Sequence, residues 1–220
     1  MDNNYIFQYW EAIQDGTVTV GKWIKTIYEI LVNGLKSGKW DFDEEKANKA
    51  INFIENFCHH SEGRNDLLKL ELWQKAIASA IFGIMDKRTG YRQFREVFIV
   101  VARKNGKTLF AAAIAAYMAY IDGEYGAKVY FLAPKLDQAD LVYDAFYQIV
   151  QADDELDSIT KKRRSDIYIK EFNTSVKKIA FNSKKSDGFN PQMVVNDEME
   201  AWQGDQGLKQ YEVMLSLIHI

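Results

Sequence analysis

The sequence predicts an α/β fold, with a mostly parallel central sheet preceded by an N-terminal helical region. Three observations predict it. Val97–Val101, Val129–Ala133 and Met193–Val195 are short runs apolar on both faces, as strands buried inside a parallel sheet are. Long helical patterns separate those runs, in strand–helix–strand–helix order. Residues 1–60 read as helix. Of the 220 residues, 47% are hydrophobic, enough for a sizeable core, and this excludes wholesale disorder. Two Pro and 13 Gly exclude collagen-like and linker-like classes. The net charge of -3 leaves any nucleic-acid contact to a local patch rather than to bulk charge. Cys58 is the single cysteine, so there is no internal disulfide framework and a reducing compartment fits.

From the N-terminus, acids appear early and no apolar stretch of signal-peptide length is present. From Glu44 to Cys58, Ala47, Ala50, Ile51, Ile54 and Phe57 form a helical stripe, with Asp43 placed as its cap. His59 to Asp66 is a polar break, which sets the expected boundary between a helical region (1–66) and an α/β core (67–214). A helix is expected from Leu72 to Met85. The strand at Val97–Val101 is followed by a glycine turn and an Ala-rich helix from Lys107 to Ile121, ended by Asp122-Gly123. Within it, Leu109–Tyr120 is the longest apolar run, too short to span a bilayer. After the strand at Val129–Ala133, a helix from Asp137 to Gln151 turns Ala139, Leu141, Val142, Ala145, Phe146 and Ile149 inward. Ile167–Phe172 and Val176–Phe181 flank Asn173-Thr174-Ser175 and predict a hairpin. The last buried strand, Met193–Val195, leads into Asn196-Asp197-Glu198.

The segment with the most chemical content is Val101-Ala102-Arg103-Lys104-Asn105-Gly106-Lys107-Thr108. It contains the Gly-Lys-Thr of a phosphate-binding loop, with Val101 where the first glycine of the usual pattern stands. Its place between a strand and a helix suits phosphate, because helix N-terminal N–H groups and the helix dipole attract anions. Gly106 allows close backbone approach, Lys107 reaches phosphate, and the Thr108 hydroxyl suits Mg²⁺. Asp197 at a strand end is placed to hold Mg²⁺, and Glu198 beside it to act on water. Asn196 stands where such a strand is usually apolar. The amide of Gln74, after Trp73, can pair with the adenine edge.

These stretches resemble the ATPase half of the large terminase subunit of tailed bacteriophages. The resemblance is carried by Leu72-Trp73-Gln74-Lys75, by the Arg103-Lys104-Asn105-Gly106-Lys107 loop lacking its first glycine, and by Asp122 to Ala127. Gln138-Ala139, Asp187 to Pro191 and Asn196-Asp197-Glu198 complete it. It implies a P-loop ATPase of the additional-strand, catalytic-Glu type, using ATP and Mg²⁺. By position it implies ATP contacts from Gln74, Arg103, Lys104, Asn105, Gly106, Lys107 and Thr108. Thr108 and Asp197 become the metal residues, Glu198 the catalytic base, and Arg103 a sensor of the γ-phosphate. The implied function is ATP-driven translocation of double-stranded viral DNA into the prohead. The implied partners are that DNA, a portal protein, a small terminase subunit and further copies in a ring, in the host bacterial cytoplasm and without a membrane. Another nucleic-acid ATPase or helicase, or a non-catalytic nucleotide-binding module, are the alternatives. The family's nuclease domain is expected only in a longer protein. Leu215–Ile220 reads as the translation of a transposon-end adapter and is expected to be a non-native tail. Cys58-His59-His60 is not expected to bind metal, since adjacent residues converge poorly on one ion. Lys161-Lys162-Arg163-Arg164 and Lys184-Lys185 are basic runs of solvated loops, able to touch DNA phosphates.

Overall fold

The computed structural model describes residues 4–60, 63–102, 104–133, 136–180 and 191–196. Residues Met1–Asn56 with Leu68–Val100 form one unit, and Phe57–Leu67 with Val101–Ile220 form a second. Arg103, Asp187–Asn190, Lys184-Lys185, Asp197, Glu198 and the Leu215–Ile220 tail lie outside the described residues.

In the first unit, α1 (Tyr5–Gln14) begins at Asn4, whose side-chain oxygen accepts from the Ile6 N–H at 3.0 Å. Ile6, Tyr9 and Ile13 lie on one face of α1 and join a core with Tyr28, Leu31 and Val32 of α2 (Lys22–Lys36). The rings of Tyr9 and Tyr28 meet edge to face, 4.7 Å between centroids. Gly34 lets Trp40 lie against α2, since a Cβ there would fall 2.3 Å from the Trp40 ring. Next come β1 (Asp41–Phe42) and α3 (Glu44–Phe57). Asp43 caps α3 as expected, its Oδ1 accepting from the Lys46 N–H at 3.0 Å. The helix expected to run to Met85 stops earlier: α4 spans Leu72–Gly83, and β2 (Ile84–Met85) pairs antiparallel with β1. Ile84 turns extended, at φ -83 and ψ 120, to make that pairing.

Among the described residues no strand forms at Val97–Val101, where one was expected. The segment has no ladder partner among the described residues, and Phe98 and Val100 are 65% and 92% exposed. A strand apolar on both faces needs partners on its edges, and that pairing is non-local; the local pattern encodes only the need for cover.

The second unit is built on a sheet with strand order β4-β5-β6-β3-β7. Its elements are α5 (Lys107–Tyr120), β3 (Lys128–Ala133), α6 (Leu136–Ala152) and α7 (Asp154–Ile159). They continue with β4 (Thr160–Lys162), β5 (Ile167–Ile169), β6 (Thr174–Ala180) and β7 (Met193–Asn196). β3 runs parallel to both β6 and β7, so these three strands form a parallel core. β4 and β5 add an antiparallel edge, and β5 with β6 is the expected hairpin. Asn173 turns it with φ 53, and the Tyr168 hydroxyl donates to its Oδ1 at 3.0 Å. Helix α7 and strand β4 were not anticipated; Asp153 caps α7 by accepting from the Glu155 and Leu156 N–H groups.

Helices α5 and α6 pack on each other and on the sheet. Phe131 of β3 meets Tyr143 and Phe146 of α6, and Phe146 stacks on Tyr120 of α5. Alanine brings α5 close: Ala112, Ala113, Ala115, Ala116 and Ala119 are all buried. On the opposite face, Tyr130 and Leu132 pack with Ile179 and Val194. Two expectations about burial are corrected. Leu141 is exposed, because it sits one helical step away from the inward face of Val142 and Phe146. The residues of β7 are half-buried rather than buried; β7 pairs with β3 alone among the described strands.

Candidate phosphate-binding site

The loop ahead of α5 is shaped by two left-handed residues. Lys104 has φ 65 and Gly106 has φ 69 and ψ 20. Between them, the Asn105 side-chain amide donates to the Ala102 carbonyl at 3.0 Å and closes the turn. Gly106 is the N-cap of α5, and its carbonyl takes the first helical bond, from the Phe110 N–H at 2.9 Å. No side chain caps the helix, and no acid stands in its first turn. The 14-residue helix therefore turns the positive end of its dipole toward this loop.

Lys104, Asn105 and Gly106 are exposed, and Lys107 and Thr108 are half-buried on the opening turn of α5. A Cβ at Gly106 would meet nothing within 4 Å, so the backbone there is open to a ligand. Lys104, Lys107 and the Thr108 hydroxyl are carried by this short stretch at the positive end of the helix dipole, and the chemical complement of that composition is an anion. The donor set fits a polyphosphate.

Leu132 of β3 is paired with Asn196, the last residue of β7; the expected Asp197 and Glu198 lie outside the described residues. The Oδ1 of Asn196 is buried and has no hydrogen-bond partner among the described residues. Gln74 belongs to the first unit, on the first turn of α4, and is only 7% exposed. Its Oε1 accepts from the Glu71 N–H at 2.9 Å, so the side chain helps to cap α4. The left-handed conformation of Lys104 and the cap formed by Gln74 went unread in the sequence. Glu71 and Gln74, three residues apart, were the available signal for the cap.

The family model described as "Terminase large subunit, ATPase domain" matches residues 72–217. The chain belongs to that family. Among solved structures, the terminase chain is similar to the large terminase of bacteriophage HK97, with a TM-score of 0.65 and 22% identity. That likeness covers 78% of this chain and 35% of the HK97 chain, so the sequence spans about a third of that relative. The mixed α/β sheet expected from the sequence is thus the fold of a terminase ATPase domain. No curated protein matches. Membership in an ATPase family implies nucleotide binding. Among the described residues no helix is long and apolar enough to cross a membrane.

Proposed function

We propose that this chain is a motor domain that hydrolyses ATP to drive double-stranded viral DNA into a phage prohead. The supporting observation is the uncapped, acid-free N-terminus of α5 behind the left-handed Gly106, in a chain of the terminase ATPase family. In this reading the backbone of Lys104, Asn105 and Gly106 wraps the phosphates, and Lys107 sets its ammonium against them. Gln74 reads the adenine edge, and Arg103 senses the γ-phosphate. Thr108 and Asp197 would hold Mg²⁺, which when bound neutralises phosphate charge. Glu198 orients the attacking water and accepts its proton as the water oxygen bonds to the γ-phosphorus and ADP leaves. The portal, a small terminase subunit and further copies in a ring are the partners of this reading, in the host bacterial cytoplasm.

The test is a comparison of binding with turnover. Lys107→Ala is expected to abolish ATP hydrolysis and to weaken nucleotide binding by about 2–3 kcal/mol, the worth of a charge-assisted phosphate contact. Glu198→Gln is expected to bind Mg·ATP normally and hydrolyse it far more slowly, while Asp197→Asn loses Mg²⁺-dependent affinity. Unchanged hydrolysis in Lys107→Ala would overturn the loop assignment. Equal loss of binding in the two acid variants would overturn the division between metal holder and base.

A further inference from the structure

We propose that the outer face of α2 is a docking surface for an amphipathic helix of a partner protein, one whose apolar stripe is flanked by Asp or Glu. The inference rests on the first unit alone and is independent of the nucleotide reading.

At 100° per residue, the apolar side chains of α2 sweep one continuous arc of roughly 200°, and only part of it is used inside the unit. Tyr28, Leu31 and Val32 fill the inner part and pack with Ile6, Tyr9 and Ile13 of α1. Trp23, Ile27 and Ile30, at i, i+4 and i+7, form the outer part, with Ile24 beside them. Trp23 is 73% exposed, and Ile24, Ile27 and Ile30 are between 37% and 54% exposed. Among the described residues no other helix leaves more than one large hydrophobic side chain exposed. The chain itself shows what suits this stripe. Gly34 lies one turn beyond Ile30 on the same line, and there the Trp40 ring covers the helix, so closely that a Cβ at Gly34 would fall 2.3 Å from it. The stripe is thus covered by an apolar ring at its C-terminal end and open over the two turns before it, a length of about 10 Å.

Size and charge select the occupant. The open stripe amounts to roughly 400 Å² of apolar surface, in the range of patches that mark interaction sites on monomers. A stable contact between two globular surfaces buries about 800 Å² on each side, twice this area. A single helix laid along α2, with axes about 8–10 Å apart, covers a strip of two turns. In a chain of net charge -3, α2 carries three Lys and one Glu. Lys22 and Lys25 open it, with no acid in the first turn and no side-chain bond from the N-cap Gly21, so the positive end of the dipole adds to both ammonium groups. The Lys22 ammonium lies 5.6 Å from the centroid of the Trp23 ring, at the edge of the stripe itself. A second copy of α2 would bring the same lysines to this face. A helix with Asp or Glu beside its apolar stripe matches them.

The experiment is fluorescence anisotropy of two labelled synthetic helical peptides with the purified chain. Both carry Leu at i, i+4 and i+7; one flanks that stripe with Glu and the other with Lys. The chain is expected to bind the Glu-flanked peptide and to prefer it by about 10-fold or more. Ile27→Asp should weaken that binding roughly 30-fold, as loss of a central anchor does. Trp23→Ala should weaken it as well, and stands in for Ile27→Asp if that variant does not fold. Both positions are exposed, so melting temperatures should hold. Replacing Lys22 and Lys25 together by Glu should turn the preference toward the Lys-flanked peptide, which a contact made by apolar surface alone would not do. A chain that binds neither peptide, or both equally, overturns the proposal. So does a dimer in sedimentation that Ile27→Asp dissociates, which makes a second copy the occupant. Binding to phosphatidylserine vesicles that Ile27→Asp abolishes overturns it too, in favour of a lipid surface.

Discussion

Lys104 and Gly106 hold left-handed backbone two residues apart, and the cost differs between them. A side chain in that region crowds its own carbonyl by roughly 1–2 kcal/mol, and glycine escapes this. Gly106→Ala meets no neighbouring atom, so its penalty is conformational alone. We expect it to lower stability by about 1 kcal/mol, a melting shift of roughly 2–4 °C, and to weaken ATP binding by more than that shift explains. Lys104→Gly relieves the same strain while loosening the unfolded chain, and should leave the melting temperature nearly unchanged. Calorimetry on both variants checks this; equal losses would show that positive φ is not what sets the loop. The glycine was legible in the sequence because the Gly-Lys-Thr pattern names it. The strained lysine was not, since nothing in a Lys codes for φ 65; the Asn105 bond to Ala102 and the helix behind impose it.

At the scale of elements, the short turn between β2 and the following chain is held by one carboxylate. Asp86 accepts from the backbone N–H groups of Thr89 and Arg88 and from the Thr89 hydroxyl. The bond from the Thr89 N–H, then that from Arg88, holds its carboxyl below the usual carboxylate range. A depressed value in the folded state means that the contribution is complete above the ordinary carboxylate range and fades as pH falls through it. Asp86→Ala should therefore lower the melting temperature at neutral pH, and the gap from the parent should narrow in acid. A pH-independent gap would show that the charge is not involved. This level also shows what periodicity can and cannot carry. The α3 stripe and its Asp43 cap were readable because i, i+3, i+4 spacing and capping are local. The end of α4 at Gly83 was not, because Ile84 leaves the helix to pair with Phe42, forty-two residues earlier. Val97–Val101 failed for the same reason: its residues say "cover me" without saying with what.

For the molecule as a whole, residues 57–67 belong to the second unit although first-unit segments flank them on both sides. No sequence window carries such a return; it depends on contacts made across the chain. The placement of Cys58 in the second unit makes it a reporter for that unit. It is fully buried, and burial first, with the nearby Asp153 charge second, pushes its thiol well above the ordinary range. The reactive thiolate is thus suppressed, and alkylation requires the unit to open. A ligand that binds the folded form at about 100 times its Kd adds roughly 2.7 kcal/mol of stability, which slows opening-limited labelling about 100-fold. Saturating Mg·ATP should therefore protect Cys58 from iodoacetamide to about that degree, and Lys107→Ala should remove the protection without altering the rate measured in its absence. Labelling at the same rate with and without nucleotide in the parent chain would mean that nucleotide binding and the fold of this unit are not linked.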